Sequence, residues 1–180
     1  MTTQVDLNEI RRAMIEAQRE QNPYPTDPAK TVSVTRNGHI QMGLGDDPVH
    51  TSKVQQGTFA SAPSDATVAS QKLPPNARWI EAGGVKGWAY TITTELGNPF
   101  SMLAYNNGSE YRVLLLSPEI EGKYNAHNAH LYANGHICLR EGGANGQPTL
   151  EEAYSKSVLW ANGMDFHMAG YDFPFSANNL

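Results

Sequence analysis

Cys138 is the only cysteine of this 180-residue chain, and it stands in the run His127-Asn128-Ala129-His130-Leu131-Tyr132-Ala133-Asn134-Gly135-His136-Ile137-Cys138-Leu139 beside three of the six histidines. A thiol becomes a useful nucleophile when nearby donors stabilise its thiolate or the oxyanion that forms during acyl transfer. Imidazoles and side-chain amides are such donors. The competing reading is that a lone cysteine packs as a small buried hydrophobe. Alternation along His136-Ile137-Cys138-Leu139 puts Ile137 and Leu139 toward a core and His136 with Cys138 on the opposite face, which predicts an exposed thiol.

The elements that must hold this run are read from periodicity and punctuation. Asp6 and Glu9 have the spacing of a capping box, and Leu7, Ile10, Met14 and Ala17 recur on one face of a helix from about Asp6 to Arg19 that stops before Asn22-Pro23. Thr31 to Thr35 alternates, Asn37-Gly38 is a hairpin turn, and His39 to Met42 alternates again. Residues 43–75, rich in Ser, Thr, Ala, Gln, Asp and Pro, read as loop or flexible linker.

Four apolar or alternating runs follow, Ala77 to Glu81, Gly87 to Thr94, Phe100 to Tyr105 and Tyr111 to Leu116, with Gly-Gly, Gly-Asn-Pro and Asn-Asn-Gly between them. Such short connections predict a four-stranded antiparallel meander. Ser117 to Gln147, with Cys138 inside it, reads as a long ordered loop, a kind of segment that is usually functional. Thr149-Leu-Glu-Glu152 is a second capping box, opening a helix whose buried face carries Leu150, Ala153, Ser157, Val158, Ala161 and Met164. The Phe173-Pro174-Phe175 tail is expected to pack back through its aromatics. The fold class is therefore α+β, with an N-terminal extension over 1–76 (helix, hairpin, linker) and a main domain over 77–180.

Composition removes several function classes. A net charge of -5 with no basic stripe argues against nucleic-acid binding. No signal peptide and no apolar run long enough to span a bilayer is read. One free thiol and no capacity for an internal disulfide suit a reducing, cytoplasmic setting. His39, His50 and His167 lie outside the cluster, and Asp46-Asp47 reads as a solvated loop.

A meander, then a loop with an Asn-Gly-x-Ile-Cys-Leu core, then a helix resembles the ubiquitin-conjugating enzymes. Asn134-Gly135-His136-Ile137-Cys138-Leu139 matches that family's run through its nucleophilic cysteine residue for residue. The resemblance covers about residues 77 to 165, its sharpest part about a dozen positions long. The family's His-Pro-Asn tripeptide falls on Asn128-Ala129-His130, so histidine stands where the family has asparagine, as it often does in divergent bacterial relatives. The chain is expected to lack the two helices that follow the crossover helix in the eukaryotic enzymes.

The resemblance implies a UBC-like fold and two acyl transfers through a thioester on Cys138, with no metal or organic cofactor. The implied partners are a ubiquitin-like protein, an activating enzyme that delivers it, and a target whose lysine amine accepts it. His130 would take the asparagine's place as oxyanion donor, Asn134 and Gly135 would shape the approach loop, and His127 would be a general base or a brace. Tyr132, His136 and Asn128 would line the acceptor side. Bacterial relatives in operons of this kind imply a defence role such as antiphage conjugation.

Three other readings of the same residues stand beside this one. His127, His130, His136 and Cys138 could be a tetrahedral zinc set. Cys138 could form a hydrolase dyad with a histidine that follows it, for which only His167 is available. The domain could also be a UBC-like binding module without catalysis.

Overall fold

The structure is a computed structural model that describes residues 5–17, 30–35, 40–42, 48–54, 65–139 and 146–174. Its elements in chain order are α1 (Leu7–Ala17), β1 (Lys30–Thr35), β2 (Ile40–Met42), β3 (Pro48–Val54), α2 (Asp65–Lys72), β4 (Arg78–Ala82), β5 (Val85–Thr93), β6 (Pro99–Asn106), β7 (Tyr111–Ser117), α3 (Ala126–Ala129) and α4 (Leu150–Met168). Strands β4 to β7 form an open antiparallel meander in chain order, and β2-β1-β3 forms a second, three-stranded sheet. The chain is α+β, as the patterning predicts.

Both faces of the four-stranded sheet are covered. Tyr90, Ile92, Phe100, Met102, Ala104, Val113 and Leu115 join a core with α4, whereas Ile80, Ala89, Leu103, Tyr105, Leu114 and Leu116 join a second one with Ile10 and Met14 of α1. Burial on both faces explains why Met102 to Tyr105 and Val113 to Leu116 are continuous apolar runs rather than alternating ones. The β4–β5 turn uses Gly83 and Gly84 at φ 58° and 79°, the left-handed pair that a two-residue hairpin requires. The Asp6 N–H donates to the Gly83 carbonyl over 2.9 Å, and Asp6 Oδ1 accepts from the Asn8 and Glu9 N–H groups. The start of α1 is thereby fixed on the sheet.

Thr149 caps α4 by accepting from the Glu152 N–H at 3.2 Å. Thirteen of the helix's 19 residues are buried, more than one amphipathic stripe supplies. The reason is packing from both sheets: α4 contacts β6 and β7, and also β1, β2 and β3, with α2 alongside. At its C-terminal end the buried Asp165 accepts hydrogen bonds from Thr94 and Asn98, tying α4 to the β5–β6 turn.

The stretch 43–75, expected to be linker, carries β3 and α2. β3 gains its strand from pairing with β1 (Val32 with Ser52, Val34 with His50), a non-local partnership that local composition does not display. In α2 the small Ala69 is buried, as is Leu73 just after it, and Lys72 pairs with Glu151 of α4 at 3.7 Å. The expected hairpin strands are present in antiparallel register, Val34 opposite Ile40. Its Asn37-Gly38 turn, Arg19 and Phe175 lie outside the described residues.

Candidate functional site: the Cys138 hairpin

The site begins one element before the cysteine. Asn125 caps α3, its Oδ1 accepting from the His127 and Asn128 N–H groups at 3.0 and 3.2 Å. The helix is a single turn and ends at His130, which adopts φ 50°, ψ 35°. That left-handed conformation is uncommon outside glycine, and it reverses the chain. From the core side, the buried Trp160 donates its indole N–H to the Ala129 carbonyl over 2.8 Å. α4 thus fixes the turn that presents His130.

A tight hairpin follows. Leu131 pairs with Ile137, the Tyr132 N–H donates to the His136 carbonyl, and the Gly135 N–H to the Tyr132 carbonyl, each at 2.9 Å. Gly135 sits at φ 82°, where an added Cβ would meet Leu7 Cδ1 at 2.9 Å. Asn134 Oδ1 accepts from the His136 N–H at 3.3 Å, so the Asn-Gly pair is a turn with a defined task. The returning arm lies along the edge of β7: the Leu115 N–H donates to the Gly135 carbonyl, and the Ile137 N–H to the Val113 carbonyl. The Cys138 N–H then donates to the His130 carbonyl at 2.8 Å.

This register puts the backbones of His130 and Cys138 opposite each other, and by alternation His136 and Cys138 share one side of the returning arm. Ile137 and Leu139 are buried in the core with α4, as expected, and Leu131 joins them. The thiol itself is not exposed. Cys138 is 4% accessible, against the exposure that alternation predicts. Burial first, and then the hydrogen bond and charge of Cys138, push the Tyr132 phenol up to about 12.

The histidines separate into different environments. His127 and Asn128 are exposed on α3. His130 is half-buried, its ring 5.8 Å from that of Phe173 in the C-terminal segment. Burial, followed by the proximity of His127, lowers its pKa. His136, expected on the acceptor side, is turned inward instead. It is 8% accessible, with Nε2 2.7 Å from the Tyr105 hydroxyl of β6. Burial and then the charge of Arg112 depress its pKa to about 4, so the ring is neutral at ordinary pH. Its pairing with Leu114 places it on the sheet face that α1 covers, opposite the α4 core.

Tyr105, Trp160 and Phe173 complete the site from outside the cysteine segment. Only the aromatic tail gave a sequence signal; Tyr105 ends an expected strand, and Trp160 lies within an expected helix without being singled out. Among the described residues, no three His, Cys, Asp or Glu side chains converge to hold a metal ion, so the four-ligand zinc alternative has no geometric support. His167 hydrogen-bonds the Tyr171 carbonyl through Nδ1 at 3.0 Å and packs against Tyr124 and Phe173. No described helix is long and apolar enough to cross a membrane. No protein-family model, curated protein or solved structure matches the chain.

Proposed function

We propose that the chain is a ubiquitin-conjugating-like transferase with a UBC-like fold, of the divergent prokaryotic type, acting in the cytoplasm. It carries a ubiquitin-like protein as a thioester on Cys138 and passes it to a target amine. The observation that carries this reading is the placement of the Asn134-Gly135-x-Ile-Cys138-Leu run. It returns along the last strand of a four-stranded meander, α4 lies behind it, and His130 stands opposite the sulfur-bearing residue.

In the loading step the Cys138 thiolate attacks the activated C-terminal carbonyl of the modifier, the C–S bond forms, and the activating group departs with its electron pair. In the transfer step an amine attacks the thioester carbonyl, the C–N bond forms, and the C–S bond breaks with its electrons returning to sulfur. A neutral His130 retains one ring N–H, enough to donate to the oxyanion of each tetrahedral intermediate. In this reading Asn134 holds the turn, His127 acts as general base or brace, and the exposed Asn128 lines the acceptor side.

The test is incubation with an activating enzyme, ATP and the ubiquitin-like protein encoded beside the gene, followed by gels with and without reductant. The expected result is a reductant-sensitive adduct that is absent from Cys138→Ala and becomes a reductant-resistant ester in Cys138→Ser. Absence of any adduct from folded protein with its proper partners overturns the reading.

A further inference from the structure

Resting on the transferase reading above, we propose that the segment after α4 is an autoinhibitory strap: Phe173 covers His130, and the segment swings away before an acyl group on Cys138 comes within reach of that imidazole. α4 ends at Met168, and Gly170, at φ 96°, turns the chain back. The Gly170 and Tyr171 N–H groups hold this turn by donating to the His167 and Phe166 carbonyls at 3.1 and 3.2 Å, and His167 Nδ1 lies 3.0 Å from the Tyr171 carbonyl. The reversal carries Phe173 against two imidazoles. Its ring centroid is 5.8 Å from that of His130, inclined by 34°, and 5.9 Å from that of His167, nearly perpendicular at 88°. Tyr124 packs on His167 in turn. Because the Cys138 N–H is bonded to the His130 carbonyl, a ring lying on His130 stands next to the strand that bears the sulfur.

Two features make this contact a removable cover. The first is its lightness. Residues 169–174 carry no helix or strand, Tyr171 and Asp172 are exposed, and Phe173 and Pro174 are only half-buried. Releasing the segment breaks ring contacts and exposed hydrogen bonds but no sheet ladder, the profile of a low-stability unit that opens locally. The second is what it covers. An oxyanion donor acts only within hydrogen-bond reach of the carbonyl oxygen, and an acyl group on Sγ has to enter where the thiol is now closed, at 4% accessibility. With the strap down, only the open fraction of molecules loads or discharges, and the observed rate falls by that fraction. Aromatic contacts of this kind suffice to hold the open fraction to about one in ten.

Phe173→Ala removes both ring contacts, and Phe173→Tyr keeps them. Cys138 is the chain's one thiol, so alkylation by iodoacetamide at fixed pH reads access to it without any modifier protein. Alkylation is expected to be about tenfold faster in Phe173→Ala than in the parent and unchanged in Phe173→Tyr, and discharge of a preformed thioester to free lysine should rise by a similar factor in Phe173→Ala. Parent-like alkylation in Phe173→Ala overturns the strap and leaves the transferase reading intact. Faster alkylation in a protein that never forms an adduct upholds the cover and overturns the transferase reading. Slower discharge in Phe173→Ala also overturns the strap, because the ring would then be positioning His130 and not covering it. Denaturant unfolding separates local release from general loosening: the midpoint of Phe173→Ala should stay near the parent's, and a gain in alkylation that only tracks a fallen midpoint counts against the strap.

Discussion

The main-chain N–H of Cys138 donates to the main-chain carbonyl of His130 over 2.8 Å. The proposed nucleophile and the proposed oxyanion donor are therefore joined by the backbone itself, eight residues apart in sequence and adjacent across a hairpin. His130 makes this closure by taking φ 50°. A non-glycine residue in that region costs about 1–2 kcal/mol, which asparagine tolerates and β-branched residues do not. His130→Asn, which restores the residue of the family the chain resembles, should keep both stability and thioester discharge near the parent level. His130→Val should lose at least about 1 kcal/mol more than His130→Asn in denaturant unfolding and should slow discharge more than loading. Equal stability of the two variants would mean that the left-handed turn is not what closes the hairpin.

Much of this arrangement is written locally. The meander is legible because Gly83-Gly84 and Asn106-Asn107-Gly108 punctuate runs of β-branched and aromatic residues, and both capping boxes identify real helix starts at Asp6 and Thr149. What could not be read are relations between distant segments. β3 exists through β1, and the surroundings of His136 depend on Tyr105, 31 positions earlier. Alternation placed Ile137 and Leu139 inward. It could not show that the thiol on the other face would be buried as well.

His136 makes stability depend on pH. In the fold it is protonated only below about pH 4, whereas the unfolded chain takes up the proton near 6.5. Between those values the unfolded state binds more protons, so stability is full above 6.5 and is lost progressively as pH falls toward 4. His130, also lowered, acts in the same direction. The melting temperature should fall between pH 6.5 and 4.5, and less steeply in His136→Gln. Parallel curves for the two proteins would mean that His136 is not held neutral by burial.

Trp160 links the core to the site. Its indole is fully buried, stands edge-on to Phe100 and gives its N–H to the Ala129 carbonyl. Trp160→Phe removes the donor and leaves that carbonyl without it, at a cost of about 1–3 kcal/mol in unfolding free energy. Because the same bond fixes the turn into His130, discharge of the thioester should slow as well. A variant destabilised by this amount that still discharges at the parent rate would show that the turn keeps its position without the tryptophan.

Helix α1 belongs energetically to the sheet that bears the cysteine hairpin. Ile10 and Met14 are buried with Ile80, Leu103, Leu114 and Leu116, and Arg11 reaches the Leu116 carbonyl and the Glu121 carboxylate. Leu7 lies under Gly135 at the tip of the hairpin. Ile10→Ala opens a cavity among these side chains and should cost about 2–5 kcal/mol. Ile15, on the same helix but 59% exposed, is the matched control, and Ile15→Ala should stay within about 0.5 kcal/mol of the parent. Denaturant unfolding of the two variants separates a helix that closes the second core from one that is merely tethered. In the first case Ile10→Ala alone lowers the midpoint; in the second neither substitution moves it, and the face carrying Leu114 and His136 must be stabilised by something other than α1.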